Sequence, residues 1–259
     1  MTEIDSRASV SASAKLGRNV RVGAFAVIGD DVELGDDSIV HPHAVISGPA
    51  RLGRANVFFP FCSIGGAPQD LKYRGEATLV EAGEANEFRE FVTVNRGTVQ
   101  GRGATRLGSH NLLMAYSHVA HDCAIGNRVI LVNGATLAGH VTIEDDATLG
   151  AFCPVHQFCR IGRHAYIAAH TVITQDVPPF AKVVAPRGTR CYGVNTIGLD
   201  RHGFTPERIA AIEQAYRLLL RSKLNTSQAV AKMKETLSGS PDVEELLGFI
   251  ETAERGITK

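Results

Sequence analysis

Every sixth residue is apolar along most of this 259-residue chain. From Ile4, steps of six reach Val10, Leu16, Val22, Ile28, Leu34, Val40, Ile46, Leu52, Phe58 and Ile64. A second run begins at Leu107 and passes through Leu113, Val119, Ile125, Leu131, Leu137, Ile143, Leu149, Val155, Ile161 and Ile167 to Ile173. An amphipathic helix repeats at 3.6 residues and a half-buried strand at 2, so neither produces a strict six. A parallel β-helix built from hexapeptides does. The residue two before each aliphatic is usually small, as at Ala26, Ser38, Ala44, Cys62, Ser117, Cys123, Cys153 and Cys159, which suits the inside of a narrow prism. Glycine often follows the aliphatic (17, 23, 35, 108, 126, 150, 162), where a corner is expected to need a permissive backbone.

The pattern resembles the left-handed hexapeptide β-helix of acyl- and acetyltransferases, a triangular prism with three hexapeptides per coil. The hand rests on that resemblance, because ordinary crossovers are right-handed. Two segments interrupt the period. "GAPQDLKYRGEATLV" (66–80) and the arginine- and glycine-rich "NRGTVQGRGATR" (95–106) suit external surface loops, and insertions into solenoids tend to carry binding function. After "TQDVPPF" the repeat ends. "TPERIAAIEQAYRLLLRSK", "NTSQAVAKMKETLSG" and "SPDVEELLGFIETAERG" then carry helix start signals, Thr205 with Pro206 and Ser240 with Pro241, and apolar residues at helical spacing. The expected architecture is mainly β: a left-handed parallel β-helix over 1–195, with loops near 66–80 and 95–106, then a small C-terminal α-helical domain over 196–259. That domain, of three or so helices, is expected to cover the open edge of the last coil.

Charge narrows the functional classes. Basic and acidic side chains number 27 each, so no global field draws the chain to nucleic acid or membrane. No apolar run reaches a membrane span, and the N-terminus lacks the segments of a secretory signal, so a soluble cytoplasmic protein is expected. Five cysteines without a CxxC pair argue against a disulfide framework or a zinc ribbon, and four of them occupy the small position of the repeat. Cys123 therefore reads as packing rather than as a nucleophile.

The chemistry gathers around "SHVAHDCAIG" (117–126). With three hexapeptides to a coil, His121 stacks on Gly139 and then Gln157, while Asp122 stacks on His140 and then Phe158. "AHDC", "AGH" and "HQF" thus become one surface patch. An imidazole, with an ordinary pKa of about 6.5, can take an alcohol proton at neutral pH, and general-base catalysis contributes roughly 10²- to 10⁴-fold. Asp122 would hold its tautomer, and the Gly139 N–H would receive a developing oxyanion. Acyl transfer to a hydroxyl fits this set. The competing readings are a zinc site built from His118, His121 and His140, as in hydratases on this fold, and a solenoid scaffold without catalysis. His41, His43, His110, His164 and His170 read as solvated or corner-packed.

At "GGAPQDLKY" (65–73), "VNRGTVQ" (94–100), "GSHNLLMAYSHVAHDCAIGN" (108–127), "ATLAGHVTI" (135–143), "VHQF" (155–158), "QDVPPF" (175–180) and "GLDRHGF" (198–204), the chain closely resembles the UDP-N-acetylglucosamine O-acyltransferase family. The likeness runs through nearly the whole chain. It implies transfer of an (R)-3-hydroxyacyl group from acyl carrier protein to the 3-hydroxyl of UDP-N-acetylglucosamine, the first step of lipid A biosynthesis. It also implies a homotrimer with active sites between neighbouring prisms, no metal and no organic cofactor beyond the donor's phosphopantetheine. By the same resemblance His121 is the general base, Asp122 its partner and Gly139 the oxyanion donor. Asp70, Lys72, His118, His140, Gln157, Asn195 and Arg201 match positions that hold sugar nucleotide or acyl donor. Asn133, Ala151 and Ala169 wall the acyl groove. His202 stands where many relatives carry a second arginine, and Asn95 where some carry histidine. An acceptor with a 3-amino group, and the related N-acyltransferase reaction, remain open at this point, although the extra N-terminal domain of the latter is not seen.

Overall fold

The computed structural model describes residues 1–185 and 189–259. Residues of the hexapeptide run form a left-handed parallel β-helix whose short strands stack into three sheets, the faces of a triangular prism. From Val22 onward the aliphatic residue of each strand is buried and the one before it is more open, as in His118–Val119 and Thr136–Leu137, while Ile4, Val10 and Leu16 of the first coil stay partly exposed. Successive coils pair in register, so that His118 lies against Thr136, and Thr136 against Pro154. The small residues two before the aliphatics are fully buried from the second coil on, Ala26, Ser38, Ala44, Cys62, Ser117, Cys123 and Cys153 among them.

Glycine keeps its place in the repeat for a different reason from the one expected. Of the glycines that follow an aliphatic residue, Gly65 is the one with positive φ. A Cβ on Gly17, Gly35 or Gly150 would instead lie 2.5–2.6 Å from a backbone nitrogen of the next coil. Close approach of coils is thus what excludes a side chain there. The left-handed residue comes two positions later in the corner and is rarely glycine, as at Phe25 (φ 59°), Asp122 (60°) and His140 (64°). Such backbone costs about 1 kcal/mol or more for a non-glycine residue. It persists because the coil ladder over-determines it: the His140 N–H donates to the His121 carbonyl at 3.0 Å.

The two interruptions are loops of unequal kind. In a regular coil Val40 pairs with Phe58, but Phe58 pairs next with Phe88, and Phe88 with Leu113. Both of these coils are therefore lengthened, the first more than the second. The first loop lies between strands Ser63–Gly66 and Leu79–Ala82. The second is narrower than expected, because a strand resumes at Ala104–Leu107 and Asn95, Gly97 and Thr98 are buried. Only 99–102 form an exposed turn ahead of that strand. Across both insertions one corner is held by a buried asparagine ladder. Asn86 Nδ2 donates to Asn56 Oδ1 (3.0 Å), and the Asn111 N–H donates to Asn86 Oδ1 (2.9 Å).

The prism ends in a hairpin that the hexapeptide pattern does not announce. Ala181–Val184 pairs parallel with Tyr166–Ile167 and antiparallel with Arg190–Val194. Helices α1 (Thr196–Arg201), α2 (Pro206–Arg221), α3 (Thr226–Thr236) and α4 (Pro241–Glu251) follow. Three were expected; α1, a single short segment, is too brief to carry a helical period. Thr205 caps α2, and Asn225 with Gln228 forms a capping box on α3. The Tyr216 hydroxyl donates to the Pro179 carbonyl at 2.6 Å, and Arg163 pairs with Glu245 at 2.6 Å, which fastens the helices to the last coil.

Candidate active site

His121 and Asp122 stand at the prism corner that follows the strand His118–Val119. Val119 and Cys123 point inward, and the left-handed backbone at Asp122 turns the chain between them. Burial pushes the Cys123 thiol up to about 12, so it is no nucleophile at neutral pH. The His121 imidazole lies against Gly139 of the next coil. A Cβ at 139 would be 2.6 Å from His121 Cε1 and 2.8 Å from Nε2, so no side chain fits there without displacing the ring. The Gly139 N–H has no hydrogen-bond acceptor among the described residues, although the residue itself is covered.

Asp122 is fully buried and accepts from four donors. His121 Nδ1 is 2.9 Å from Oδ2, the Thr98 hydroxyl donates to Oδ2 at 2.7 Å, and the Thr98 N–H lies 3.1 Å from both oxygens. The Arg102 N–H completes the set, 2.7 Å from Oδ1. Burial alone would raise this carboxyl. The Thr98 hydroxyl, His121 and the two backbone N–H groups outweigh it and hold the group below the usual carboxylate range. Asp122 is therefore an anion at neutral pH, and its bond to Nδ1 turns the His121 Nε2 lone pair toward Gly139 and the exterior.

Other expected residues converge on this corner. His140 stands above Asp122, with Nε2 3.9 Å from Oδ2, its ring edge-on to His121 and stacked on Phe158. Burial lowers the His140 pKa, more than the Asp122 charge raises it. His118 is lowered first by burial and then by His121, and its Nδ1 is 2.7 Å from the Thr93 hydroxyl. Both imidazoles are thus neutral hydrogen-bonding groups. Gln157 is exposed one coil beyond Gly139, where the Phe158 N–H donates to the Gly139 carbonyl at 3.2 Å. In the first loop Asp70 ties its own turn through the Lys72 N–H at 2.9 Å, and its charge reaches His140; Lys72 is exposed.

The remaining expected residues lie at the other two corners. Asn133, Ala151 and Ala169 stack on one another, with the Phe152 N–H bonded to the Asn133 carbonyl and the His170 N–H to the Ala151 carbonyl. Asn195 caps α1, accepting from the Gly198 N–H at 3.3 Å and donating to the His164 carbonyl at 3.1 Å. Arg201 ends α1, exposed. No single chain therefore carries all of the expected residues in one place. A cavity of about 260 Å³ between the terminal hairpin and α2, lined by Lys182, Tyr192, Tyr216 and Arg217, contains none of them. Thr93, Thr98, Gly101 and Arg102 are the groups that sequence reasoning passed over. A hydroxyl or an N–H aimed at a buried carboxylate leaves no periodic trace.

Among the described residues two clusters place three possible ligand atoms within 4.8 Å: His121, Asp122 and His140, and Asp146, His164 and His202. His118 belongs to neither. In the first, both carboxylate oxygens already accept hydrogen bonds. In the second, Arg128 holds Asp146 through bonds of 2.7 and 2.8 Å, and Arg163 reaches His164 Nε2 at 3.2 Å, so two of the three groups are already engaged by guanidinium cations.

The deciding observation is the chain's likeness to known proteins over its full length. A profile for bacterial transferase hexapeptides matches residues 4–48, 104–139 and 140–175, and one for domain 2 of UDP-N-acetylglucosamine O-acyltransferase matches 176–258. The acyl-[acyl-carrier-protein]–UDP-N-acetylglucosamine O-acyltransferase of Herminiimonas arsenicoxydans is 46% identical over 100% of both chains. That of Alkalilimnicola ehrlichii is 49% identical, again over 100% of both. The chain belongs to the UDP-N-acetylglucosamine O-acyltransferase family. Solved O-acyltransferase structures superpose closely. The Francisella novicida protein gives a TM-score of 0.95 at 40% identity, covering 98% of this chain and 93% of that one. The Bacteroides fragilis protein gives 0.96 at 38% identity, covering 99% and 100%. Like its family, the chain is an acyltransferase. Among the described residues no helix is long and apolar enough to cross a membrane.

Proposed function

We propose that the chain transfers an (R)-3-hydroxyacyl group from acyl carrier protein to the 3-hydroxyl of UDP-N-acetylglucosamine, the first step of lipid A biosynthesis, in the cytoplasm. The observation that carries the mechanism is the 2.9 Å bond from His121 Nδ1 to buried, ionised Asp122, which leaves Nε2 free beside Gly139. Nε2 takes the proton of the sugar 3-hydroxyl as its oxygen attacks the thioester carbonyl. The charge on that carbonyl oxygen is received by the Gly139 N–H, and Asp122 stabilises the imidazolium. As the C–S bond breaks, the imidazolium returns its proton to the departing phosphopantetheine thiolate, leaving an ester and free carrier protein. The chain itself supplies no metal or organic cofactor. His118, His140, Gln157, Asp70 and Lys72 bind around the base, and Arg201 offers a fixed cation to the diphosphate.

The same reading makes the enzyme a homotrimer. The base, the Asn133–Ala151–Ala169 column and the Asn195–Arg201 segment lie at different corners of one prism, and heterologous contact between identical chains brings such corners together. A ladder of aromatic rings supports this. Phe25, His43, Phe61, Phe91 and Tyr116 stack at 4.8–5.2 Å along one corner, and all four non-histidine rings are exposed in the single chain. So large an apolar ridge suits an interface. The alanines at 151 and 169 leave room for a long acyl chain beside it.

The test offers UDP-N-acetylglucosamine and its 3-amino analogue with 3-hydroxyacyl carrier proteins of graded length, and identifies products by mass. The expected product is the 3-O-acyl ester. Absence of product from every combination would overturn the reading.

A further inference from the structure

We propose that the turn Thr98–Arg102 is a positioning device that commits Asp122 to His121 rather than to His140, with Thr98 its principal residue. The inference rests on the reading of His121 as base. Asp122 Oδ2 has two imidazoles within reach, His121 Nδ1 at 2.9 Å and His140 Nε2 at 3.9 Å. A carboxylate free to rotate would share itself between them, and the His121 tautomer would no longer be fixed.

The turn removes that freedom in several ways. Thr98, itself buried, grips the carboxylate with both its hydroxyl and its N–H, and the Arg102 N–H takes the far oxygen. Gly101 lays bare backbone across the group: a Cβ there would lie 2.5 Å from both carboxylate oxygens. The turn is closed by the Gly101 and Gly103 N–H groups, which donate to the Thr98 carbonyl at 3.1 and 3.0 Å. It is also clasped to the corner from outside. The Arg102 guanidinium donates to the Asp122 carbonyl and to the Thr142 hydroxyl, each at 3.0 Å, while the Asp122 N–H donates to the Thr105 hydroxyl at 2.9 Å. With the donors of the turn satisfied on the inside, the remaining direction of Oδ2 faces His121. The insertion that lengthens this coil thus has a specific role, because a regular coil of three hexapeptides has no backbone to place over this carboxylate.

Thr98 acts through Asp122 and does not touch substrate, so its test separates positioning from folding. Thr98→Val keeps shape and removes the hydroxyl. Its kcat is expected to fall about 10- to 100-fold, as when an outer partner of a functional group is lost. KM for the sugar nucleotide should stay near wild type, and the variant should still melt cooperatively, at a somewhat lower temperature because a bond to a buried anion is gone. Thr98→Ser, which restores the hydroxyl, should recover most of the loss, and the acid limb of the kcat–pH profile should move in Val but not in Ser. In an Asp122→Asn background, Thr98→Val should cost little more, because the group it positions is gone. Should the Val variant not fold, Thr98→Ala against Thr98→Ser makes the same comparison. A wild-type kcat in Thr98→Val, or a loss that multiplies with that of Asp122→Asn, overturns the device while leaving the base untouched. Wild-type turnover in His121→Ala removes the underlying reading, and the device with it.

Discussion

At the scale of the residue, the proposed chemistry depends on one buried anion holding one imidazole. Asp122→Asn keeps the shape of the side chain and removes its charge, so the imidazolium formed in the transition state loses its partner. We expect kcat to fall roughly 10²- to 10⁴-fold with a far smaller change in KM, measured in steady-state assays. The same carboxylate makes stability depend on pH. Its pKa is lower in the folded chain than in the unfolded one. It therefore stabilises the fold above the unfolded value of about 3.9, and that contribution disappears as pH falls through the folded value. Denaturant melts should thus lose more stability between about pH 5 and pH 3 in wild type than in Asp122→Asn. Gly139 poses a second residue-scale test. Since even a methyl group would lie 2.6 Å from the His121 ring, Gly139→Ala should lower kcat by at least about 10²-fold while the prism still melts cooperatively. The relation of His121 to Gly139 was readable from sequence alone, because a coil of three hexapeptides turns that spacing into contact. Thr98 was not, because the inserted residues break that conversion and a backbone N–H looks the same at every position.

At the scale of the element, the prism is held by ladders, and its ladders differ in worth. Lys15, Glu33 and Arg51 alternate sign up one exposed face, with contacts of 2.7 and 3.5 Å. Exposed pairs of this kind typically contribute about 0–1 kcal/mol each. The asparagine ladder is buried and its members serve backbone groups of neighbouring coils. Asn86→Ala would strand the Asn111 N–H, at roughly 1–3 kcal/mol, and take one hydrogen bond each from the Asn56 carboxamide and the Gly108 carbonyl, which keep the Asn86 and Gly83 N–H groups as donors. Chemical denaturation should therefore find Asn86→Ala destabilised by at least about 2 kcal/mol, and Lys15→Ala by less than about 0.5 kcal/mol. Much of this level was legible: strand identity, core side chains and both interruptions follow from the period of six. The corner was misread. Glycine and the left-handed residue are two different positions, and only coordinates reveal that packing fixes the first while the coil ladder fixes the second. The hairpin and α1 also stayed hidden, being too short or too irregular for any period to mark.

At the scale of the whole molecule, the question is why an enzyme would spread its groups over three corners. One chain places the proposed base, His121, at one corner, the small-residue column at another and Asn195 and Arg201 at the third. A rigid prism cannot fold those corners together, since each is fixed by strands above and below it. In the proposed trimer each site takes His121 from one chain and Arg201 from a neighbour, and this makes complementation a sharp test. His121→Ala and Arg201→Ala chains are each expected to assemble and to be severely impaired alone. When the two are co-expressed in equal amounts, some interfaces join an intact His121 to an intact Arg201 from the other chain. Random mixing gives about a quarter of the sites both groups, so activity near a quarter of wild type should reappear in the mixed assembly. The reappearance should also depend on the aromatic ridge, because Phe61→Glu with Tyr116→Glu places charge where stacked rings would meet a partner, and should yield monomers by light scattering. If the mixture stays as inactive as its parents while still trimeric, Arg201 serves the base of its own chain or none, and the arrangement of corners proposed here is wrong.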